Sequence, residues 1–141
     1  EDGIRDTELW LEFRRVLFRS MSGVDFVADT NFLIALHEGK AFIKPFLDQS
    51  AAISVISEVE LLGFPKISET EKSKLKGLVA ACTVVELHAE IKELAISLRQ
   101  QQPIRVPDAI IAATALYLGV PVVTSDRDFK KLIDVPVILL P

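Results

Sequence analysis

The sequence predicts an α/β domain built on a central, mainly parallel sheet of about five strands, with helices on both faces. Three observations predict it. From Val24 onward, short apolar runs alternate with helical stretches. The runs are apolar at nearly every residue rather than every second one, as in strands buried on both faces. The length, 141 residues with half of them apolar, suits one domain with a substantial core.

Val24 to Ala28 reads as the first strand, and it runs through Asp29 into a helix that ends near Leu36. Gly39 breaks the chain, and Ala41 to Leu47 is expected to form a second short helix, with Pro45 tolerated only in a first turn. Ala51 to Ile56, rich in β-branched residues, is the second strand, and Ser57 to Leu62 opens a helix that Gly63-Phe64-Pro65 interrupts. A polar helix is expected from Ser68, its cap, to Ala81, carrying Lys72, Lys74 and Lys76 on a solvated face. Thr83 to Val85 is a third strand, and a helix from Ala89 to Gln101 stops before Pro103.

The last third is read most directly. Pro107 suits a first helical turn and Gly119 a helix end. Alanines at 109, 112, 113 and 115 leave the helix between them little bulk, so it can lie close to the sheet. Pro121 to Thr124 is the fourth strand, Phe129 to Ile133 a short helix, and Val135 to Leu139 the fifth strand. The domain is expected to span 21–141. Residues 1–20 are expected to be a non-native or read-through extension, because Met21 stands just before the first strand and charged residues interrupt the apolar stretch Leu9 to Phe18.

Charge and cysteine content narrow the classes. With 16 basic and 20 acidic residues the formal charge is −4, so the chain lacks the general basicity of many nucleic-acid binders. The single cysteine, Cys82, excludes an internal disulfide framework and suits the cytoplasm; it reads as a small core residue. No stretch suits a membrane span. His37 and His88 read as surface or helix-end residues.

The acids are more informative. Asp29 follows the first strand, Glu60 lies in the first turn after the second, Asp108 opens the alanine-rich helix, and Asp126 follows the fourth strand. Carboxyl ends of parallel strands share one crevice, and Asp108 joins it if its helix starts at the same edge. Each acid also has a structural reading. Asp29 and Asp126 can be N-caps, Glu60 completes a Ser57-x-x-Glu60 capping box, and Asp108 complements a helix dipole. Convergence would distinguish the functional reading. Two carboxylates about 4 to 5 Å apart repel by roughly 3 to 4 kcal/mol at an effective dielectric of 20, so four together would protonate, splay or bind cations. Oxygen donors without His or Cys select Mg²⁺ or Mn²⁺, whose chemistry suits attack of an activated water on a phosphodiester.

Asp29-Thr30-Asn31, Ser57 to Gly63, Pro107 to Ala115 and Thr124 to Phe129, in this order and spacing, together resemble PIN-domain nucleases, in particular VapC-type toxins of bacterial toxin-antitoxin pairs. The resemblance covers Met21 to Pro141. It implies a three-layer α/β/α fold, a Mg²⁺-dependent ribonuclease acting on RNA, a homodimer, and a cognate antitoxin that blocks the site. It implies further that Asp29, Glu60, Asp108 and Asp126 are the catalytic acids, with Asp29, Asp108 and Asp126 holding the metal. Thr30, Asn31 and Thr124 resemble the polar residues that orient those acids. Asp128 is expected to assist through water or to pair with Lys130 or Arg127, and Arg105 and Arg127 to contact phosphates.

Two other readings compete with it. A catalytically inactive PIN-like module would only bind RNA or protein, and would have no need of mutually repelling acids. A haloacid-dehalogenase-like phosphatase requires a second acid two residues after its nucleophile, where this chain has Asn31.

Overall fold

The structure, a computed structural model, describes residues 23–141, so the extension expected at 1–20 lies outside the described residues. Strand β1 (Phe26–Ala28) is buried along its whole length and can therefore pair on both sides. It lies between β2 (Ala51–Ser54) and β4 (Val122–Thr124), while β3 (Thr83–Val85) and β5 (Val137–Leu139) form the less buried edges. All the pairings are parallel.

The sheet order is β3-β2-β1-β4-β5. The chain winds outward from β1 to β3, then returns to the other side of β1 and winds outward again. That reversal falls between β1 and β4, where an open α/β sheet forms a crevice at the carboxyl ends of its strands. Asp29 directly follows β1 and Asp126 follows β4 by two residues.

Because alternate strand residues point to opposite faces, two cores form. On one face, Val27, Ala52 and Val122 pack with Ile91, Ala95 and Leu98 of α4 (Ala89–Gln101) and with α5 (Val106–Leu118). On the other, Phe26, Ile53 and Val123 meet Phe32 and Leu33 of α1 (Thr30–His37), Leu61 of α2 (Val55–Leu62), and Leu75 and Val79 of α3 (Glu69–Ala80). The result is the expected α/β/α arrangement. Phe26, Phe32 and Phe46 meet edge to face, with ring centroids 5.2 to 5.8 Å apart, and fasten α1 to the sheet.

Helix α5 is the most deeply placed. Its four alanines are fully buried, which lets its backbone approach the strands, and Gly119 ends it in a left-handed conformation at φ 70°. Ser68 caps α3 as expected, accepting the Glu71 N–H at 3.1 Å.

Several boundaries differ from expectation. Strand β2 stops at Ser54 rather than Ile56, because the Ser54 hydroxyl accepts the Ile56 N–H at 3.1 Å and starts α2 at Val55. Ser57 is consequently inside the helix, the capping box does not form, and Glu60 lies in the second helical turn rather than the first. The segments Ala41–Phe46 and Arg127–Lys131 are 3-10 helices, the first carrying Pro45 near its end and the second starting two residues earlier than expected, after Asp126. Strand β5 begins at Val137 rather than Val135. No helix among the described residues is long and apolar enough to cross a membrane.

Candidate active site

Asp29 takes the N-cap role that the sequence offered and also holds a hydrogen bond across the sheet. As N-cap of α1 it accepts the Phe32 N–H on Oδ1 at 2.9 Å, and its Oδ2 accepts a hydrogen bond from the Thr124 hydroxyl. Thr124 closes β4, is fully buried, and also accepts the Asp126 N–H on that same hydroxyl at 2.9 Å. One hydroxyl thus donates to the acid of one strand and accepts from the backbone of the acid after its neighbour. The Asp126 Oδ1 in turn accepts the Asp128 N–H at 2.9 Å and caps the second 3-10 helix.

Burial sets the electrostatics. Asp29 is 3 % exposed, and loss of water pushes its carboxyl up to about 6, against the lowering effect of the Thr124 and Phe32 hydrogen bonds. The negative charges of Asp126 and Asp108 push in the same direction as burial. Asp108, in the first turn of α5, is also raised, first by burial and then by repulsion from Asp126 and Glu60. Helix α5 therefore begins at the same edge as the ends of β1 and β4, and the four acids share one electrostatic field.

Arg105 opposes that field. Its Nε donates to Asp108 Oδ2 at 3.1 Å and its Nη2 to Oδ1 at 3.4 Å. Its guanidinium is stabilised in its charged form by Asp108 first, and also by Asp126 and Glu60.

Glu60 is held from α1. The Thr30 hydroxyl donates to Glu60 Oε1 at 2.7 Å and lies 3.3 Å from the fully buried hydroxyl of Ser57. Ser57 was not among the expected site residues. Once α2 is known to start at Val55, Ser57 and Glu60 stand three apart on one helix face, which is the signal that the misplaced boundary concealed. Thr30 and Thr124 thus touch the acids, whereas Asn31 and Arg127 are exposed. Asp128 pairs with Lys131 at 3.3 Å rather than with Lys130 or Arg127, since residues three apart are eclipsed in a 3-10 helix. His37 ends α1, and His88 precedes α4 with its ring edge-on to Tyr117.

The donor set is all oxygen and suits a hard divalent cation. Among the described residues, however, no three His, Cys, Asp or Glu side chains stand close enough together to hold one ion. Each aspartate is engaged by a protein donor: Asp29 by Phe32 and Thr124, Asp108 by Arg105, Asp126 by Asp128. The residues fit the cation in chemistry and charge, and sharing one would require these carboxylates to come closer together than they stand here.

The family model for the PIN domain matches residues 26–134, a span containing all four acids. The chain belongs to the PIN-domain family. Among solved structures, this PIN domain is similar to a toxin-antitoxin complex from Klebsiella pneumoniae, at 28% identity and TM-score 0.69, covering 81% of this chain and 96% of that one. It also shares its fold with VapBC2 from Rickettsia felis, bound to a promoter DNA fragment, at 20% identity and TM-score 0.74, covering 84% and 100%. VapBC-5 from Mycobacterium tuberculosis matches at 20% identity and TM-score 0.64, covering 83% and 99%. The structural neighbours thus include VapC toxins of VapBC complexes. No curated protein matches the sequence significantly.

Two grooves of the PIN domain adjoin the acids. One, of about 390 Å³, is lined by Arg99, Pro103, Ile104, Arg105, Asp108 and Asp128. The other, of about 640 Å³, runs from Thr30 and Glu60 between α1 and α2 to Phe64, which is 68 % exposed.

Proposed function

We propose that this PIN domain is a Mg²⁺-dependent endoribonuclease and the toxin of a VapBC-type toxin-antitoxin pair. The observation that carries the reading is the Thr124 hydroxyl, which couples Asp29 to Asp126 across β1 and β4 while Asp108 and Glu60 act on the same field. A protein that only bound its partner would gain nothing from this repulsion.

Asp29, Asp108 and Asp126 would hold Mg²⁺, or Mn²⁺ in its place. Once bound, the ion supplies an activated water and neutralises charge on the phosphate oxygens. The protein supplies position. Phe32 and Thr124 fix Asp29, so its carboxylate does not swing when charge develops nearby. Thr30 holds Glu60 by Oε1, which leaves Oε2 to accept a proton from the attacking water. Arg105 and Arg127 provide guanidinium groups for the RNA phosphates.

The larger groove is where the antitoxin would dock. Ile34, Val59 and Phe64 offer exposed apolar surface, and Glu38, Glu60 and Glu71 line the same groove. A peptide with apolar anchors and a basic side chain directed at Glu60 would complement both features and obstruct the acids. Homodimerisation, implied by the resemblance to VapC toxins, is part of the proposal, and sedimentation should give twice the chain mass.

The test is a Mg²⁺ titration of cleavage on a mixed RNA pool, using protein freed of any bound partner. Cleavage should saturate with Mg²⁺ in the native protein and be lost in Asp29→Asn and Asp108→Asn. Absence of cleavage by the native protein would instead indicate a binding module.

A further inference from the structure

Among the described residues, Arg105 makes the contacts that compete with the use proposed for Asp108. Its fork engages both Asp108 oxygens, at 3.1 and 3.4 Å, so a divalent ion must compete with the guanidinium for that carboxylate. Its hold is also weak in kind. The Arg105 side chain is 73% exposed, whereas that of Asp108 is 10% exposed, and solvent-exposed guanidinium pairs are screened and easily exchanged. A dication carries twice the charge and approaches carboxylate oxygen to about 2.0 to 2.1 Å, closer than a guanidinium nitrogen can.

Two further observations say where Arg105 would go. Asp126 and Glu60 as well as Asp108 favour its charge, so the guanidinium lies where the acids pool their field and where a cation's charge would be placed. It also lines the groove of about 390 Å³ that Arg99 borders, and Arg99 is fixed there by its Nε donating to the Ile104 carbonyl at 3.0 Å. Two arginines along one groove beside the acids suit a polyanionic chain, and a planar fork binds phosphate oxygens as readily as carboxylate ones.

We propose that Arg105 is an exchangeable counter-cation of the crevice: it pairs with Asp108 until a divalent cation takes that carboxylate, and then turns to an RNA phosphate in the Arg99 groove. The inference rests on the metal-dependent reading above. It makes metal binding and phosphate binding cooperative, because the first frees the group that serves the second.

The experiment uses the full chain and two readouts other than cleavage. Calorimetric titration with Mn²⁺ should show Arg105→Gln binding the ion about five- to tenfold more tightly than the native protein, since no ion pair has to open. In the native protein the Arg105 Nε–H resonance should shift when Mg²⁺ is added, and shift again with a short single-stranded DNA oligonucleotide as phosphate probe. The oligonucleotide should bind the Mg²⁺-loaded native protein at least fivefold more tightly than loaded Arg105→Gln. Arg105→Lys, which keeps the charge without the fork, should restore part of the oligonucleotide affinity. If native protein takes up Mn²⁺ but Arg105→Gln binds it equally or less tightly, the exchange is overturned and the metal-dependent reading stands. If native protein takes up no Mn²⁺, both fall.

Discussion

At the level of single residues, Asp29 carries opposing demands. Its carboxylate is buried, capped onto α1 and bonded to Thr124, yet remains harder to ionise than an ordinary aspartate, at about 6. Asn can cap a helix as well as Asp and bears no charge. Asp29→Asn should therefore abolish cleavage while leaving stability in EDTA at pH 7 equal or higher, because relief of the raised carboxylate, at about 1.4 kcal/mol per pKa unit, offsets the Thr124 bond that the Asn amide nitrogen cannot accept. Urea denaturation beside an RNA cleavage assay measures both, and a destabilised variant would make Asp29 a structural cap. Thr124→Val is a complementary case. It removes the donor to Asp29 and the acceptor for the Asp126 N–H at similar side-chain volume, leaving buried groups unpaired. We expect a cost of about 1 to 3 kcal/mol and at least a tenfold fall in kcat with a smaller change in KM. The positions of Asp29 and Thr124 were legible in the sequence because β1 and β4 end where their apolar runs end. Ser57 and the grip of Arg105 on Asp108 were not, since one depends on the true start of α2 and the other on side-chain direction.

Secondary-structure elements were legible where composition and end signals agreed. Helix α5 begins at Val106, so Pro107 lies in its first turn and Gly119 follows its end, as expected. The start of α2 was obscured because Val55 and Ile56 favour strands by β-branching, while the decisive signal is one hydroxyl, that of Ser54, capping the helix. Ser54→Ala should cost about 1 kcal/mol, measurable by thermal denaturation, and should weaken activity through Glu60, which α2 carries. The alanines of α5 make a sharper prediction. Ala113 is fully buried against the sheet side of the domain, so Ala113→Leu must force the helix outward. Overpacking of this kind costs about 1 to 3 kcal/mol. Because α5 bears Asp108, the same shift should lower Mn²⁺ affinity, and unchanged affinity would show that the helix position is not what sets the site.

For the whole molecule, the shared field of the acids links stability to pH and to metal. Asp29 and Asp108 both have carboxyl groups raised above the ordinary value near 3.8. Between that value and about 6 the folded protein therefore retains protons that the unfolded chain has released. By linkage, the contribution of Asp29 is most favourable below the unfolded value and is lost as pH rises through the folded one. In EDTA the native protein should accordingly be more stable at pH 5 than at pH 7, the opposite of an acid held by a fixed salt bridge. The Asp29 share of this difference should disappear in Asp29→Asn. A divalent cation reverses the preference, because it binds the ionised carboxylates of the folded state alone. With Mg²⁺ at about 100 times its Kd, stability at pH 7 should rise by about 2.7 kcal/mol, and the gain should shrink toward pH 5 as protons compete for the ligands. Urea denaturation at the two pH values, with EDTA and with Mg²⁺, reads all four states. If stability in EDTA rises from pH 5 to pH 7 and Mg²⁺ adds nothing at either, the acids are not the strained, cation-seeking group from which the nuclease reading is built.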